Sequence, residues 1–439
     1  MMVAPELARR LDALVAEAQR AGRTPSLVAG VVRDGELAHL AAAGDHPTPD
    51  PDIQYRIGSI TKTMTAVLLL GLRDEGRLAL DDPLEAHLPG TPVGAVTLRQ
   101  LLSHGSGLQR EPDSDQWWER SAGTDLAGLL AGLTRAKLAH RPYRRHHYSN
   151  LAYGLLGAVA ERVGGQPWWP LLRTRVLDPL GLTRTTYHPA EPYARGYVVH
   201  PWHQTLREEP RTDTGAMAPA GQLWSTTADL ARWAAFLAEP DPAVLDADTL
   251  IEMCATVQLA DPESWTAGHG LGLELIRHGD RVYAGHGGSM PGYVATLLVH
   301  RPTRTAVVGY ANAYGLRGDS IRALGLRLLA AVLDGETPAP APWRPATPAP
   351  PEYAELTGRW WWMGREHQAD WADGELVLRH VDPGGTEVWR FTATGPDRWR
   401  GHSGINNGEN LLVRRDAAGR VRALDIATFV FTRHPDDVG

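Results

Sequence analysis

The chain has 439 residues, of which 43% are hydrophobic and 22% charged, with a formal net charge of -7. That composition excludes a disordered chain and allows a large core plus a second unit. The acidic balance also excludes a binder that relies on a dominant basic field, so nucleic acid is not an expected partner.

The opening stretch APELARRLDALVAEAQRAGR places Leu7, Leu11, Leu14, Val15 and Ala18 on one helical face. Glu6, Arg9, Arg10, Asp12 and Glu17 interrupt any apolar run. It therefore reads as an amphipathic surface helix and not as an export signal. No stretch approaches the roughly 20 apolar residues that cross a bilayer. The expectation is a cytoplasmic protein without a membrane partner. Next, SLVAGVVRDGELAHLAAAG sets two apolar runs around Asp34-Gly35, a hairpin signal.

Helical patterns dominate from about 60 to 250. Ser59-Ile60-Thr61-Lys62 opens the first of them, TKTMTAVLLLGL. Residues three apart share one helix face, so the Lys62 amine can meet the Ser59 hydroxyl. A serine is a weak nucleophile until a base takes its proton, and a lysine serves only if its pKa is lowered. Tyr148-Ser149-Asn150 follows at a helix start. Just before it, Arg141, Arg144, Arg145, His146 and His147 form a basic run that reads as a solvated loop or as a lever on the Tyr148 pKa. NLAYGLLGAVAERVGG closes on paired glycines. Trp117 and Trp118 read equally as core or as cleft lining. Cys254, the single cysteine, sits in LIEMCATV as a small hydrophobe and can form no internal disulfide.

Strand signals return at RVYAGH, YVATLLVHR and RTAVVGYANA, and LGLRLLAAVLDG reads as a closing helix. The sheet thus draws strands from both ends of the first domain, with a helical insertion between them. The expected fold class is α/β, an antiparallel sheet flanked by helices. Residues 335–351, rich in alternating Pro and Ala, read as a stiff linker between domains at 1–334 and 352–439. Beyond the linker, GRWWWMG, ELVLRHV, EVWRFTA, RWRGHS, NLLVRRD and VRALDIATFVFTR are strand-like runs divided by turn residues. They predict a small antiparallel β-barrel. The histidines show no H-E-x-x-H or C-x-x-C spacing, so no metal and no other cofactor is assigned.

Ser59-x-x-Lys62, Tyr148-x-Asn150 and His286-Gly287-Gly288, in that order, resemble the signature of serine penicillin-recognising enzymes. LRQLLSHGSGL (98–108) and PAGQLWSTTADLARW (219–233) also resemble segments of class C β-lactamases, family VIII carboxylesterases and D-amino-acid-specific peptidases. The resemblance implies a β-lactamase-like fold and a division of labour. Ser59 attacks an acyl carbon and Lys62 takes its proton. Tyr148 relays that proton to the leaving group, and Asn150 bonds Lys62 or the substrate amide. The N–H groups of Ser59 and Ser289 form the oxyanion hole. Gly287 and Gly288 let the strand edge approach substrate. His286 stands where a lysine is common; its charge near neutral pH is conditional, which argues against a dedicated β-lactamase.

LTGRWWWMG and LDIATFVFTR resemble the lipocalin-like domain of penicillin-binding-protein-type thioesterases, which release and cyclise non-ribosomal peptides. That likeness implies Arg433 as a substrate contact and a peptidyl ester or thioester as substrate, with a peptidyl carrier protein as a candidate partner. Two other readings stand beside the cyclase: a carboxylesterase or D-stereospecific peptidase of the same fold, and a non-catalytic ligand-binding protein.

Overall fold

The computed structural model describes residues 2–45, 50–114, 117–203, 205–314, 316, 319–335, 348–381 and 387–435. Most of the Pro/Ala stretch, at 336–347, lies outside the described residues. The chain divides into two units, Met1–Thr337 and Pro338–Gly439.

In the first unit an eight-stranded antiparallel sheet runs Glu36–Gly44, Ser26–Arg33, Thr305–Ala311, Tyr293–His300, Arg281–Met290, Glu274–His278, Ala267–His269 and Gln258–Leu259. Two strands precede the helical insertion and six follow it, so the sheet closes only when both ends of the unit meet. The Asp34-Gly35 hairpin forms as expected, both residues at positive φ (46° and 84°).

Alternation along the strands explains the layers, because successive side chains point to opposite faces. Leu27, Ala29 and Val31 face the terminal helices Pro5–Gly22 and Ile321–Gly335. Val28 and Val32 face the larger core, to which the helices Thr61–Asp74, Asn150–Gly164 and Thr227–Ala238 contribute. Leu7, Leu11, Val15 and Ala18 are buried, as the amphipathic pattern requires. Among the described residues no helix is long and apolar enough to cross a membrane.

The second unit is a closed barrel of eight antiparallel strands: Gly358–Trp362, Arg365–Ala372, Glu375–His380, Val388–Gly395, Arg398–Gly401, Asn410–Arg415, Val421–Ile426 and Phe429–Thr432. Trp361 opposite Thr432 closes it. The six sequence runs cover seven of these strands. REHQADWA was passed over because polar residues dominate it, although His367 and Ala369 alternate inward. VRALDIATFVFTR is two strands, broken where Ala427 and Thr428 take positive φ (48° and 80°). Neither residue type signals such a turn. A short 3₁₀ turn, Pro351–Leu356, begins inside the stretch read as linker.

Candidate active site

Ser59 sits in the 3₁₀ turn Gly58–Ile60, which runs directly into the helix Thr61–Asp74. Gly58 takes φ 53°, and a Cβ there would stand 2.5 Å from the Ser289 nitrogen. A Cβ on Gly288 would meet the Ile57 carbonyl oxygen at 2.0 Å. Two glycines thus let the nucleophile turn and the strand Arg281–Met290 press backbone to backbone.

Lys62 is fully buried, and its ammonium donates to Ser59 Oγ at 2.9 Å, Asn150 Oδ1 at 2.7 Å and the Ala220 carbonyl at 2.6 Å. Burial lowers its pKa from 10.5 to about 7, against the opposing charges of Glu111 and Glu119. Losing one proton leaves two donors and one lone pair. The Ala220 carbonyl can only accept. Asn150 is held the same way, since its Nδ2 donates to both Glu111 carboxylate oxygens at 2.9 Å. Only Ser59 can reverse its role and donate to the neutral amine. The hydrogen-bond pattern singles out the serine as the proton source.

Asn150 begins the helix Asn150–Gly164, capped by Ser149, whose Oγ accepts from the Ala152 N–H at 3.0 Å. The Asn150 N–H donates to the Arg110 carbonyl at 2.8 Å, which brings Glu111 beside the Asn150 side chain. Trp118 Nε1 donates to the same carboxylate at 2.6 Å. Tyr148, one residue before the cap, hydrogen-bonds Ser59, and burial drives its pKa above the ordinary tyrosine value. It is a neutral phenol at working pH. Arg141, Arg144 and Arg145 are exposed, and the cation that lowers the Tyr148 pKa is Arg110. The arginines of the basic run form a solvated loop, whereas His146 is half-buried and stacks on His269 at 4.7 Å.

Gly287 N–H donates to Glu274 Oε2 at 3.2 Å, toward the neighbouring strand Glu274–His278. Pairing with that strand ends at Gly285. Two residues on, the Ser289 N–H emerges on the same edge by alternation. It is unpaired by strand and next to Gly58, where an oxyanion donor is needed. A cavity of about 520 Å³ opens here, lined by Ser59, Tyr148, Asn150, His286 and Ser289 and by Arg110, Glu119 and Glu274. Burial beside Glu111 raises the Glu119 carboxyl to about 7.

Three sequence expectations need correction or relocation. His286 was credited with a conditional charge near neutral pH. Burial lowers its pKa to about 4, and its Nδ1 bonds the Gly287 carbonyl at 2.5 Å, so it is neutral. Trp118 is buried and holds Glu111, while Trp117 is exposed and packs edge-on against Tyr314 at 5.7 Å; neither lines the cavity. Arg433 lies with its guanidinium 3.6 Å from the Trp360 ring centroid. It donates to the carbonyls of Arg359 (2.9 Å), Thr357 (3.2 Å) and Glu355, which ties it to the packed end of the barrel.

Sequence spacing also missed a cluster behind Tyr148. Ring nitrogens of His104, His269 and His286 lie within 4.8 Å of one another, and His104 stacks on Tyr148 at 4.3 Å. Three distant elements contribute them, so no short motif exists; His104 does lie in the LRQLLSHGSGL segment. His286, donating from Nδ1, turns an Nε2 lone pair inward. His104 Nδ1 accepts the Ser149 N–H at 3.1 Å, so the neutral ring carries its proton on Nε2. A metal would need lone pairs from all three. The donor set fits a packed cluster of neutral imidazoles, two of them held by backbone hydrogen bonds, better than a metal site.

Residues 11–332 match the family model described as Beta-lactamase, and residues 349–433 match a domain of unknown function, DUF7586. The D-alanyl-D-alanine-carboxypeptidase/endopeptidase AmpH of Escherichia coli K12 is 31% identical over 212 residues, covering 43% of this chain and 50% of AmpH. The chain spans about half the length of the curated relatives it matches (58% and 50% for two of them). A D-stereospecific amidohydrolase from Streptomyces sp. is similar in structure, with TM-score 0.62, 30% identity, and coverage of 75% of this chain and 99% of that one. SurE is similar along both units, with TM-score 0.64, 28% identity, and coverage of 98% and 99%.

Proposed function

The chain belongs to the Beta-lactamase family, and from that premise we propose that it is a serine hydrolase cleaving amide or ester bonds of D-amino acid derivatives. The observation that carries the reading is the Lys62 amine. It is buried, titrates at about 7 and lies 2.9 Å from Ser59 Oγ.

Neutral Lys62 takes the Ser59 proton as Oγ bonds the substrate carbonyl carbon. The Ser59 and Ser289 N–H groups receive the oxyanion. As the tetrahedral intermediate collapses, Tyr148 gives its proton to the leaving amine or alkoxide and recovers one from Lys62. Water then adds to the acyl-Ser59 carbonyl, its proton passing to the same pair. The acid leaves and Ser59 regains its proton. Glu119, which lines the cavity and is mostly ionised above about pH 7, suits the α-ammonium of a substrate with a free amine.

The likeness to a D-stereospecific amidohydrolase supports the D preference. Amides and esters of D- and L-amino acids, free and N-acetylated, test the proposal. It predicts turnover of free-amine D substrates at least about 10-fold above L, with N-acetylation lowering kcat/KM by a similar factor. Equal rates for both enantiomers would overturn the stereochemical assignment.

A second reading has an amine resolve the acyl-enzyme to give a cyclic peptide, with a peptidyl thioester as substrate and a carrier protein as donor. What favours it is the resemblance of LTGRWWWMG and LDIATFVFTR to the lipocalin-like domain of penicillin-binding-protein-type thioesterases; SurE, similar over 98% of this chain, has been solved with D-Leu, which bears on the D-residue alone. A linear peptidyl thioester ending in a D-residue separates the two readings. Macrocycle as the main product supports the second, and free acid supports the first.

A further inference from the structure

The lumen of the barrel is divided into two halves. At the end where Arg433 stacks on Trp360, the inward residues Leu356, Trp360, Leu376, Phe391, Trp399 and Leu424 pack into a dry core. The opposite end carries the turns that follow Trp362 and Ile426. There, inward positions surround a cavity of about 550 Å³ lined by Trp362, His367, Trp389, Ile426 and Phe431. That volume falls within the roughly 300–1,000 Å³ of small-molecule sites.

The walls set the shape of an occupant. Trp362 and Phe429 meet at 4.9 Å, His367 stacks on Trp389 at 5.6 Å and meets Phe431 edge-on at 5.0 Å. Ring faces and edges on several sides suit a flat aromatic molecule. The polar groups set its chemistry. Trp389 Nε1 is buried and has no hydrogen-bond partner among the described residues. An indole N–H can only donate, and a buried orphan donor is costly, so the occupant must bring an acceptor. Arg365 stands exposed at the mouth, with no ion pair among the described residues. Glu387 also lines the mouth, and a second negative charge on the occupant would meet it.

We propose that the open end of the barrel is a binding site for a small flat aromatic monoanion, its ring among Trp362, Trp389 and Phe431, its acceptor on Trp389 Nε1 and its charge toward Arg365.

Naphthalene-2-carboxylate is the probe, titrated into the full chain labelled with ¹⁵N at tryptophan. Its neutral carboxamide and naphthalene-2,6-dicarboxylate serve as comparisons. The indole signal that disappears in Trp389→Phe should move downfield and saturate at one equivalent. Trp389→Phe, which keeps a ring and loses the donor, should weaken binding by about 3- to 10-fold. Arg365→Ala should weaken the carboxylate by about 3-fold or more and leave the carboxamide unchanged. The dicarboxylate should bind more weakly than the monoanion. Acylation of Ser59 should be the same in both variants. A Trp389 signal that stays still at saturating probe would overturn the site. Equal losses for carboxylate and carboxamide in Arg365→Ala would overturn the charge assignment.

Discussion

Two buried clusters of nitrogen bases lie side by side in the first unit, and burial treats them alike while hydrogen bonding does not. Lys62 and the trio His104, His269 and His286 are all stripped of water, and all have lowered pKa values. For the lysine the fall ends near 7, where both protonation states are within reach. For the histidines it ends well below working pH, in a permanently neutral state. The partners differ too. Lys62 has three acceptors, one of which is also a donor, so deprotonation has a defined direction. His104 and His286 hold their tautomers through the Ser149 N–H and the Gly287 carbonyl, which fixes geometry and moves no proton. Desolvation sets the charge, and the partner decides whether that charge does chemistry.

The largest effect that would sharpen this contrast is removal of the amine itself. Lys62→Met should lower the rate of Ser59 acylation by roughly 10²–10⁴-fold, the range for a general base, read by stopped-flow with an activated ester. A loss below about 3-fold would hand the base role to Tyr148 or to the neutral imidazoles.

Glu111→Gln should come next. It replaces an acceptor-only carboxylate with an amide that no longer dictates which way Asn150 points. Losing hydrogen bonds to a charged group costs about 1.5–3 kcal/mol, so kcat/KM should fall by about 10- to 100-fold. The pH profile should move as well. Glu111 is the leading charge that raises the Lys62 pKa, so its removal should carry the acid limb to lower pH. An acid limb that moves upward would contradict the electrostatic account.

The smallest effect belongs to the histidine cluster. His269→Phe removes a neutral ring that bonds no substrate, so the acid limb should stay in place and kcat should change by less than about 3-fold. Melting temperature, followed by calorimetry, is the more sensitive readout there. A displaced acid limb in His269→Phe would mean that the cluster carries charge after all.

The sequence made Ser59, Lys62, Tyr148, Asn150 and His286 legible because their chemistry depends on short spacings, one helical turn or one strand edge. What it hid depends on contacts across the fold. Ala220, which fixes the lysine, lies in PAGQLWSTTADLARW, a segment noticed only for its likeness to relatives. Glu111 and Glu119 sit in a polar loop with no periodicity to mark them. The charge of His286 was misjudged because exposure cannot be read from a tripeptide. In the barrel, alternation announced strands, but whether the inward side chains fill the lumen depends on eight strands at once.

The central claim is that Lys62 is the base because burial holds its pKa near 7. The pH dependence of the pre-steady-state rate of Ser59 acylation tests it most directly. Because the neutral amine is the active form, the rate should rise with pH, pass its midpoint near 7 and level off above it, and Lys62→Met should abolish that rise. A rate that keeps climbing toward the ordinary lysine pKa of 10.5, or a midpoint near 7 that survives in Lys62→Met, would contradict the account.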